Sequence, residues 1–447
     1  PLRQADRSTQ EQAEHSFQRQ AERNFQRQAE RSRSLWTVGW LAASLGLAAY
    51  VMFADEYYFG LELLRPVLLW MALKGQVQPL RQRLQRVALS WLPYLAVMLA
   101  FLAWRLFIHV SPRGQVQIIN QLAQNPFLAL LNLAKTVVLD ILESGLVAWA
   151  LPFNLFEVFN SGATSLLAYL LLAALVGGGV WFYFQRAVGR PGAPEGPSWP
   201  RQAVLLGLFT LFIGGWPFWA TAWQIGLSFP WDRFNLAMNL GASLLLAGLF
   251  SFLFRRQKLA IIALAVVIGL SSANAYHLAN LYRQDWELLK LFFWQMSWRV
   301  PGIAPDTVIL THRPPFTYST DNSLTAPLNW IYAPQNQTRQ LPYLFWDVAS
   351  HLPDGWNSID ASQPLQQQYR ILDFDGSYSR ALSIVYKPPN CVKLLDPEID
   401  KDLPGRPLYI TPGAAFSKPD LVVTNSAEPA RPPSELFGPE PPHGWCY

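Results

Sequence analysis

Residues 163–184, ATSLLAYLLLAALVGGGVWFYF, are twenty-two consecutive positions without a charged side chain. As a helix this run is about 33 Å long, enough to cross the roughly 30 Å hydrocarbon core of a bilayer. No water is available there to satisfy a backbone N–H or C=O, so a crossing segment must close its hydrogen bonds internally. Further apolar runs occur at Leu35–Phe53, Val87–Val110, Ala203–Trp223, Phe234–Phe254 and Leu259–Ala275. Together they restrict the first 275 residues to a polytopic helical bundle.

The composition agrees. Only 15% of the 447 residues are charged and 51% are hydrophobic, against about 25% charged in soluble domains. The net charge of +5 comes from arginines and lysines at the ends of apolar runs rather than in one patch, a distribution that fits orientation by positive loops and argues against nucleic acid as a partner. The fold class expected is therefore mainly α: a transmembrane helical bundle followed by a small α+β domain outside the cytoplasm, in the plasma membrane of a bacterium.

The chain divides into four parts. Residues 1–34 form a polar cytoplasmic arm in which FQRQAER recurs at Phe17–Arg23 and Phe25–Arg31; charge on nearly every face predicts a solvated helix or disordered arm, with a partner-binding helix as the alternative. Residues 35–275 hold the spans. Tyr57–Leu73 reads as a short second crossing, kinked at Pro66, that leads to the basic stretch Arg81, Arg83 and Arg86 on the cytoplasmic side. Phe127–Ala150 carries Lys135, Asp140 and Glu143 and reads as an interfacial or re-entrant helix on the outer face, because one crossing more would place Arg186, Arg190 and Arg255-Arg256 outside. Residues 276–299 are amphipathic and are expected to lie along the outer surface. Residues 300–447 are polar with a Pro-rich tail. In this last part DTVILTH reads as a strand, and QYRILDFDGSYSRALSIVYKP as two β-rich runs turning at Asp375-Gly376-Ser377. STDNSLTAPLNWIYAP reads either as a carbohydrate-lining loop or as plain turn chemistry. Asn336-Gln-Thr matches the N-glycosylation pattern. Cys391 and Cys446, the only cysteines, form one disulfide if this domain lies outside the cytoplasm and stay free thiols otherwise.

Several chemistries have no residues to carry them. The sequence contains no phosphate-binding glycine loop with Lys-Ser/Thr, no Cys-x-x-Cys pair, no His-Glu-x-x-His and no Gly-x-Ser-x-Gly. The six histidines are scattered, so no metal site is visible, although a divalent cation as cofactor stays open. Three charged groups remain at or near the outer face. Asp55-Glu56 follows the first span. Glu62 and Arg65 share a helical face inside the second, either as a self-neutralising bridge or as a functional pair. Asp232-Arg233 stands at the mouth of a later span, ringed by Phe229, Trp231 and Phe234. An arginine at that depth can bind a lipid phosphate through paired charge-assisted hydrogen bonds, and a nearby carboxylate can take a proton from an acceptor hydroxyl.

The order of short motifs resembles the GT-C superfamily of membrane glycosyltransferases, and within it the transmembrane O-mannosyltransferases that carry tetratricopeptide tails. FADEYYFGLELLRPVLLW is similar to that family's acid-ended span and Pro-containing helix, with Asp55 where the family often has Lys and Glu56 at the acid. RQRLQR and SWLPYLAVMLAFLAWRLFI follow, with Leu92-Pro93-Tyr94 and Arg105 at matching places. WDRF, with Asp232, Arg233 and Phe234, resembles the family's Glu-Arg-Tyr at an external helix entrance. The resemblance covers about Leu35–Ala275. It implies an external active site, a polyprenyl-phosphate sugar as donor, membrane lipid as partner and a polytopic helical fold. From their chemistry at the outer face, and not by transfer from the family, Arg233 and Asp232 are placed at the donor phosphate and Glu56 and Asp55 are the candidate catalytic acids. The family's principal acids lie in its first external loop, which the alignment of motifs places upstream of Pro1, so the chain reads as a fragment. The alternative is a non-enzymatic membrane anchor that displays a glycan- or protein-binding module. A transporter is disfavoured by uneven spans and the lack of internal repeats.

Overall fold

The structure is a computed structural model and describes residues 38–75, 79–108, 117–188, 199–254, 256–311, 314–351, 363–369, 371–388, 391–395, 432 and 437. The polar arm lies outside the described residues, as does most of the Pro-rich tail. The architecture is mainly helical with a small sheet region. Among the described residues five helices are long and apolar enough to cross a membrane: Leu80–Ile108, Pro126–Phe153, Ala163–Arg186, Trp199–Ala220 and Gln257–Arg299. The chain forms two compact units, one from Pro1–Leu151 with Arg190–Leu264, the other from Pro152–Gly189 with Ala265–Tyr447.

In the first unit α1 (Val38–Ala54) and α3 (Leu80–Ala103) run parallel. Ser44 accepts from the Tyr94 hydroxyl at 2.9 Å, Phe53 meets Phe101 edge-on at 5.5 Å, and Glu56 pairs with Arg105 at 2.7 Å. Parallel neighbours require the chain to return between them, and residues 56–75 make that return. They form a 3-10 helix over Glu56–Leu63, then α2 (Leu64–Ala72), then one 3-10 turn over Leu73–Gly75. Phe59 packs on Phe101, the Arg65 guanidinium lies over the Tyr94 ring at 3.7 Å, and that of Arg83 over the Trp70 ring at 3.7 Å. The segment thus runs antiparallel to α3 along its length. A 3-10 helix rises about 2.0 Å per residue against 1.5 Å in an α-helix, so this stretch covers about 35 Å, matching the roughly 33 Å from Arg83 to Arg105. Pro66, which has no N–H to donate, falls where 3-10 gives way to α.

Three residues per turn give the 3-10 helix three flat faces. Glu56, Phe59 and Glu62 share one, which meets Arg105, Phe101 and Arg65. Tyr57, Gly60 and Leu63 share another. Tyr57 packs against Phe218 and Phe234, and a Cβ on Gly60 would lie 2.1 Å from the Ile213 carbonyl oxygen. Gly60 is therefore required by the closeness of α8 (Trp199–Ala220).

α8 and α9 (Asn239–Leu253) form an antiparallel hairpin with almost no space between their backbones. A Cβ on Gly207 would meet the Leu245 nitrogen at 2.6 Å, and one on Gly241 the Leu211 nitrogen at 2.5 Å. Small residues at such a contact let dispersion replace the missing hydrophobic drive between lipid-facing helices. α5 (Pro126–Gly145), preceded by α4 (Gln117–Gln124), packs against both helices of this hairpin; Asp140 accepts from Trp219 Nε1 near the carboxyl end of α8 at 2.7 Å. Leu133, Val137 and Ile141 pack on the core that this hairpin builds, and the last residues of α5 add Ser144 to Asn235 and Gly145 to Leu211 and Leu245. By length and apolarity α5 also qualifies as a crossing helix.

In the second unit α6 (Leu155–Asn160) leads to α7 (Ala163–Val188), which packs against α10 (Gln257–Arg299). A Cβ on Gly269 would lie 2.4 Å from the Ala173 oxygen, and the Tyr169 hydroxyl donates to Pro152 and Leu270 carbonyls. The break expected near residue 275 is absent: α10 is one helix of 43 residues. Ser271-Ser272-Ala273-Asn274-Ala275 contains no proline or glycine to stop it. Its last turns bury Phe292, Phe293, Trp294 and Met296 in the core of the polar domain, so the apolar face assigned by sequence to a membrane surface covers a sheet from Leu288 onward.

That sheet has the order β2-β1-β5-β6, from β1 (Thr307–Thr311), β2 (Tyr343–Asp347), β5 (Ala381–Val385) and β6 (Lys393–Leu395). β1 is parallel to both β2 and β5, and β6 antiparallel to β5. The β1–β2 crossover is α11 (Asp321–Tyr332). This corrects the loop reading of STDNSLTAPLNWIYAP. Thr320 and Ser323 close a capping box, Leu324, Leu328 and Ile331 are buried at helical spacing, and the polar side chains serve the helix–sheet junction. Asn329 exchanges hydrogen bonds with the Tyr343 backbone, and Thr325 Oγ1 accepts from Phe345 N at 3.0 Å. The hairpin also differs from expectation. β3 (Pro364–Tyr369) and β4 (Leu372–Ser377) pair with each other in antiparallel register from Pro364↔Ser377 to Tyr369↔Leu372, and Gly376 lies inside β4. A Cβ there would come within 2.6 Å of the Phe374 ring, so this glycine answers to packing rather than to a turn. Asn336 forms a side-chain turn with Thr338 and donates to the Gln340 carbonyl. Phe437 from the tail is buried against Trp286 and Phe293. Cys391 is in a disulfide; Cys446 lies outside the described residues.

Candidate functional site

The carboxyl ends of α1, α3 and α8 gather at one end of the first unit, and there the separated charged motifs meet. Asp55 caps the 3-10 helix, its Oδ1 accepting from Tyr57 N at 3.1 Å. The next residue, Glu56, is bound through Oε2 by Arg105 Nε at 2.7 Å; its carboxylate is 45% exposed while Arg105 is largely covered. Tyr57 then turns inward and meets the Phe234 ring edge-on at 5.2 Å. Its hydroxyl lies in the field of the Arg233 guanidinium and of the Asp55 and Glu56 carboxylates. Two stretches about 175 positions apart in sequence thus form one cluster around Tyr57.

The second half of the cluster is a 3-10 turn, Asp232–Ala237. Phe234 anchors it with no exposed surface, inside rings contributed by Tyr57, Phe218, Trp223 and Trp231 at 4.9–6.0 Å. Burial of one such side chain contributes about 2–3 kcal/mol. Asn235 is buried beside it, its amide donating to the Gly226 carbonyl while its oxygen accepts from the Ser144 hydroxyl. Glu143 accepts from Leu227 N at 3.3 Å. Glu143 and Ser144 of α5 therefore hold the 221–238 stretch in place, and Asp140 holds the end of α8 that leads into it. Asp232 Oδ1 accepts from the Arg233 backbone N–H at 3.0 Å and so fixes the turn that carries Arg233. The guanidinium itself is exposed, lies over the Phe234 ring at 5.0 Å and has no ion-pair partner among the described residues.

Glu62 and Arg65 stand apart from this cluster. They form a two-bond pair, with Arg65 Nη2 to Glu62 Oε2 at 3.1 Å, and Arg65 stacks on Tyr94, whose hydroxyl reaches Ser44. Glu62 is buried. The arrangement is a neutral strut joining α1, α2 and α3, which favours the bridge reading. No group of three His, Cys, Asp or Glu side chains among the described residues could hold a metal ion.

Sequence reasoning missed Tyr57, Ser144 and Asn235. Tyr57 was hidden within an aromatic run; Asn235, an amide directly after the Asp-Arg-Phe stretch at a helix mouth, was the available signal. No family model, curated protein or solved structure matches the chain.

Proposed function

We propose that the protein is an integral membrane glycosyltransferase of the GT-C kind, moving a sugar from a polyprenyl-phosphate donor to an acceptor outside the cytoplasm. The observation that carries this reading is the meeting of Glu56, Tyr57 and Arg233 at one end of a helical bundle. There a lipid phosphate and an acceptor hydroxyl can approach the same point from the bilayer surface. Three helix carboxyl ends bring partial negative charge to that end, and Arg105 and Arg233 offset it. Arg105 is engaged by Glu56, which leaves the Arg233 guanidinium for phosphate.

In the transfer the acceptor oxygen bonds to the anomeric carbon and the bond from that carbon to the phosphate oxygen breaks. The polyprenyl phosphate leaves with the electron pair, and the hydroxyl proton passes to a carboxylate. Glu56 suits that step better than Asp55. Among the described residues only its Oε2 is bound, which leaves Oε1 for the acceptor, whereas Asp55 is engaged as a helix cap. Each unit has its own indication of side. Arg83 lies at the opposite end of α3 from Glu56, in a basic stretch suited to the cytoplasm. The disulfide at Cys391 suits an oxidising compartment.

The test is polyprenyl-phosphate binding by the full chain in lipid nanodiscs. Arg233→Ala is expected to weaken it about ten- to a hundredfold, the worth of one charge-assisted contact, with Arg233→Lys intermediate. Affinity unchanged in Arg233→Ala would remove this residue, and with it the proposed donor site.

A further inference from the structure

A cavity of about 480 Å³ opens beside this cluster, between α4–α5 and the stretch that follows α8. Its lining is unusual for its charge. None of the lining residues is Asp, Glu, Lys or Arg, yet the polar side chains include Gln121, Gln124, Asn132 and Gln224, four amides with no hydrogen-bond partner among the described residues. Each amide offers both a donor and an acceptor. The apolar share of the wall includes Trp219 and Trp223. Trp219 is locked by its bond to Asp140, and Trp223 by its ring contact with Phe234 at 5.0 Å.

We infer that this cleft binds an uncharged saccharide. A pyranose needs partners that both give and accept hydrogen bonds, one set for each hydroxyl, together with a flat apolar surface for its C–H face. Amides and indoles supply those two requirements. A charged ligand would meet no counter-charge here, and an acyl chain would bury the amides unsatisfied, at about 1–3 kcal/mol each. The volume lies within the range of small-ligand pockets, about 300–1,000 Å³. Trp223 joins the cleft to the Phe234–Arg233 turn, so a sugar held there lies next to the proposed phosphate site. Saccharide binding does not itself depend on transfer.

The experiment is saturation-transfer NMR on the full chain in nanodiscs. The probes are maltose and cellobiose, a glucuronate-containing disaccharide, and an uncharged pentapeptide containing serine and threonine. Neutral disaccharide binding is expected for the unmodified protein. It should weaken at least about tenfold in the Gln121→Leu/Asn132→Leu double variant, which alters exposed side chains without partners and should keep the unfolding temperature. Arg233→Ala should bind the disaccharide normally, even where it has lost polyprenyl phosphate, so the two sites fail separately. The inference is overturned if neither neutral disaccharide contacts the protein, if the double variant binds unchanged, if Arg233→Ala abolishes the contact, or if the peptide or the acidic sugar is preferred.

Discussion

Replacing Gly60 with alanine tests how the charged cluster is assembled. The added Cβ would lie 2.1 Å from the Ile213 carbonyl oxygen and 3.3 Å from Pro217 Cγ. Both belong to α8, and a backbone oxygen cannot rotate away. Real Cβ contacts stay beyond 3.0 Å, so the 3-10 helix must retreat from α8 by about 1 Å. Tyr57, one turn earlier on the same face, moves with it and draws away from Phe218 and Phe234. Overpacking of this kind costs about 1–3 kcal/mol, and a misplacement of about 1 Å in a catalytic cluster can reduce rate about a hundredfold. Gly46→Ala is the control, because a Cβ there meets nothing within 4 Å and alanine favours a helix by about 1 kcal/mol. Thermal unfolding in detergent and polyprenyl-phosphate binding are measured for both variants. Gly60→Ala is expected to lose stability and binding together, while Gly46→Ala keeps both. A Gly60→Ala protein with the stability and affinity of the parent would refute the close approach of the 3-10 helix to α8.

Three further outcomes are expected. Glu62→Gln leaves the partly exposed Arg65 without its counter-charge and should destabilise the protein by about 1–3 kcal/mol by thermal unfolding, with the Glu62→Leu/Arg65→Leu double variant recovering most of the loss, as neutral replacement of a paired strut allows. Tyr386 is buried with no hydrogen-bond partner for its hydroxyl among the described residues, and burial pushes its pKa up to about 12 from the usual 10.0. The unfolded chain releases this proton first, so stability from Tyr386 is constant below about pH 10 and falls between about 10 and 12; Tyr386→Phe should reduce that fall in alkaline unfolding of the full chain and be neutral or slightly stabilising at pH 7. Cys391→Ser, or reduction, should lower the stability of the sheet domain by about 2–4 kcal/mol, read as a lower unfolding midpoint, and a mobility difference between reduced and unreduced protein on a gel should vanish in the variant.

Apolar run length made the helices legible, because a crossing segment has one backbone solution and announces it by composition. The 3-10 character of Glu56–Leu63 was not legible: an i→i−3 ladder leaves no compositional mark, and its faces become visible only once Arg105 and α8 are in place. The pairing of Glu62 with Arg65 was readable from spacing alone, since it is local. The partnership of Tyr57 with Phe234 and Arg233 was not, because it depends on how α8 packs. The helix at Asp321–Tyr332 was obscured by its own cap and amides, whose turn-like composition is the same whether the side chains face solvent or, as with Thr325 and Asn329, the edge of a sheet. The end of the crossing at Ala275 was placed by a change in polarity. The backbone, meeting no proline or glycine, carried the helix to Arg299.

The three-sided form of the Glu56–Leu63 helix has a consequence for how this chain can vary. A substitution there changes one side chain and leaves the order of the faces intact, as in Gly60→Ala, whose strain falls on α8. Removing or adding a single residue rotates everything beyond it by a third of a turn and exchanges the faces. An early deletion would then turn Gly60's narrow side toward α3 and present the Tyr58–Leu61 side to the tight wall at Ile213. Among related chains this stretch should therefore keep its length more strictly than its letters, with gaps falling instead in the loops at either end of the crossings.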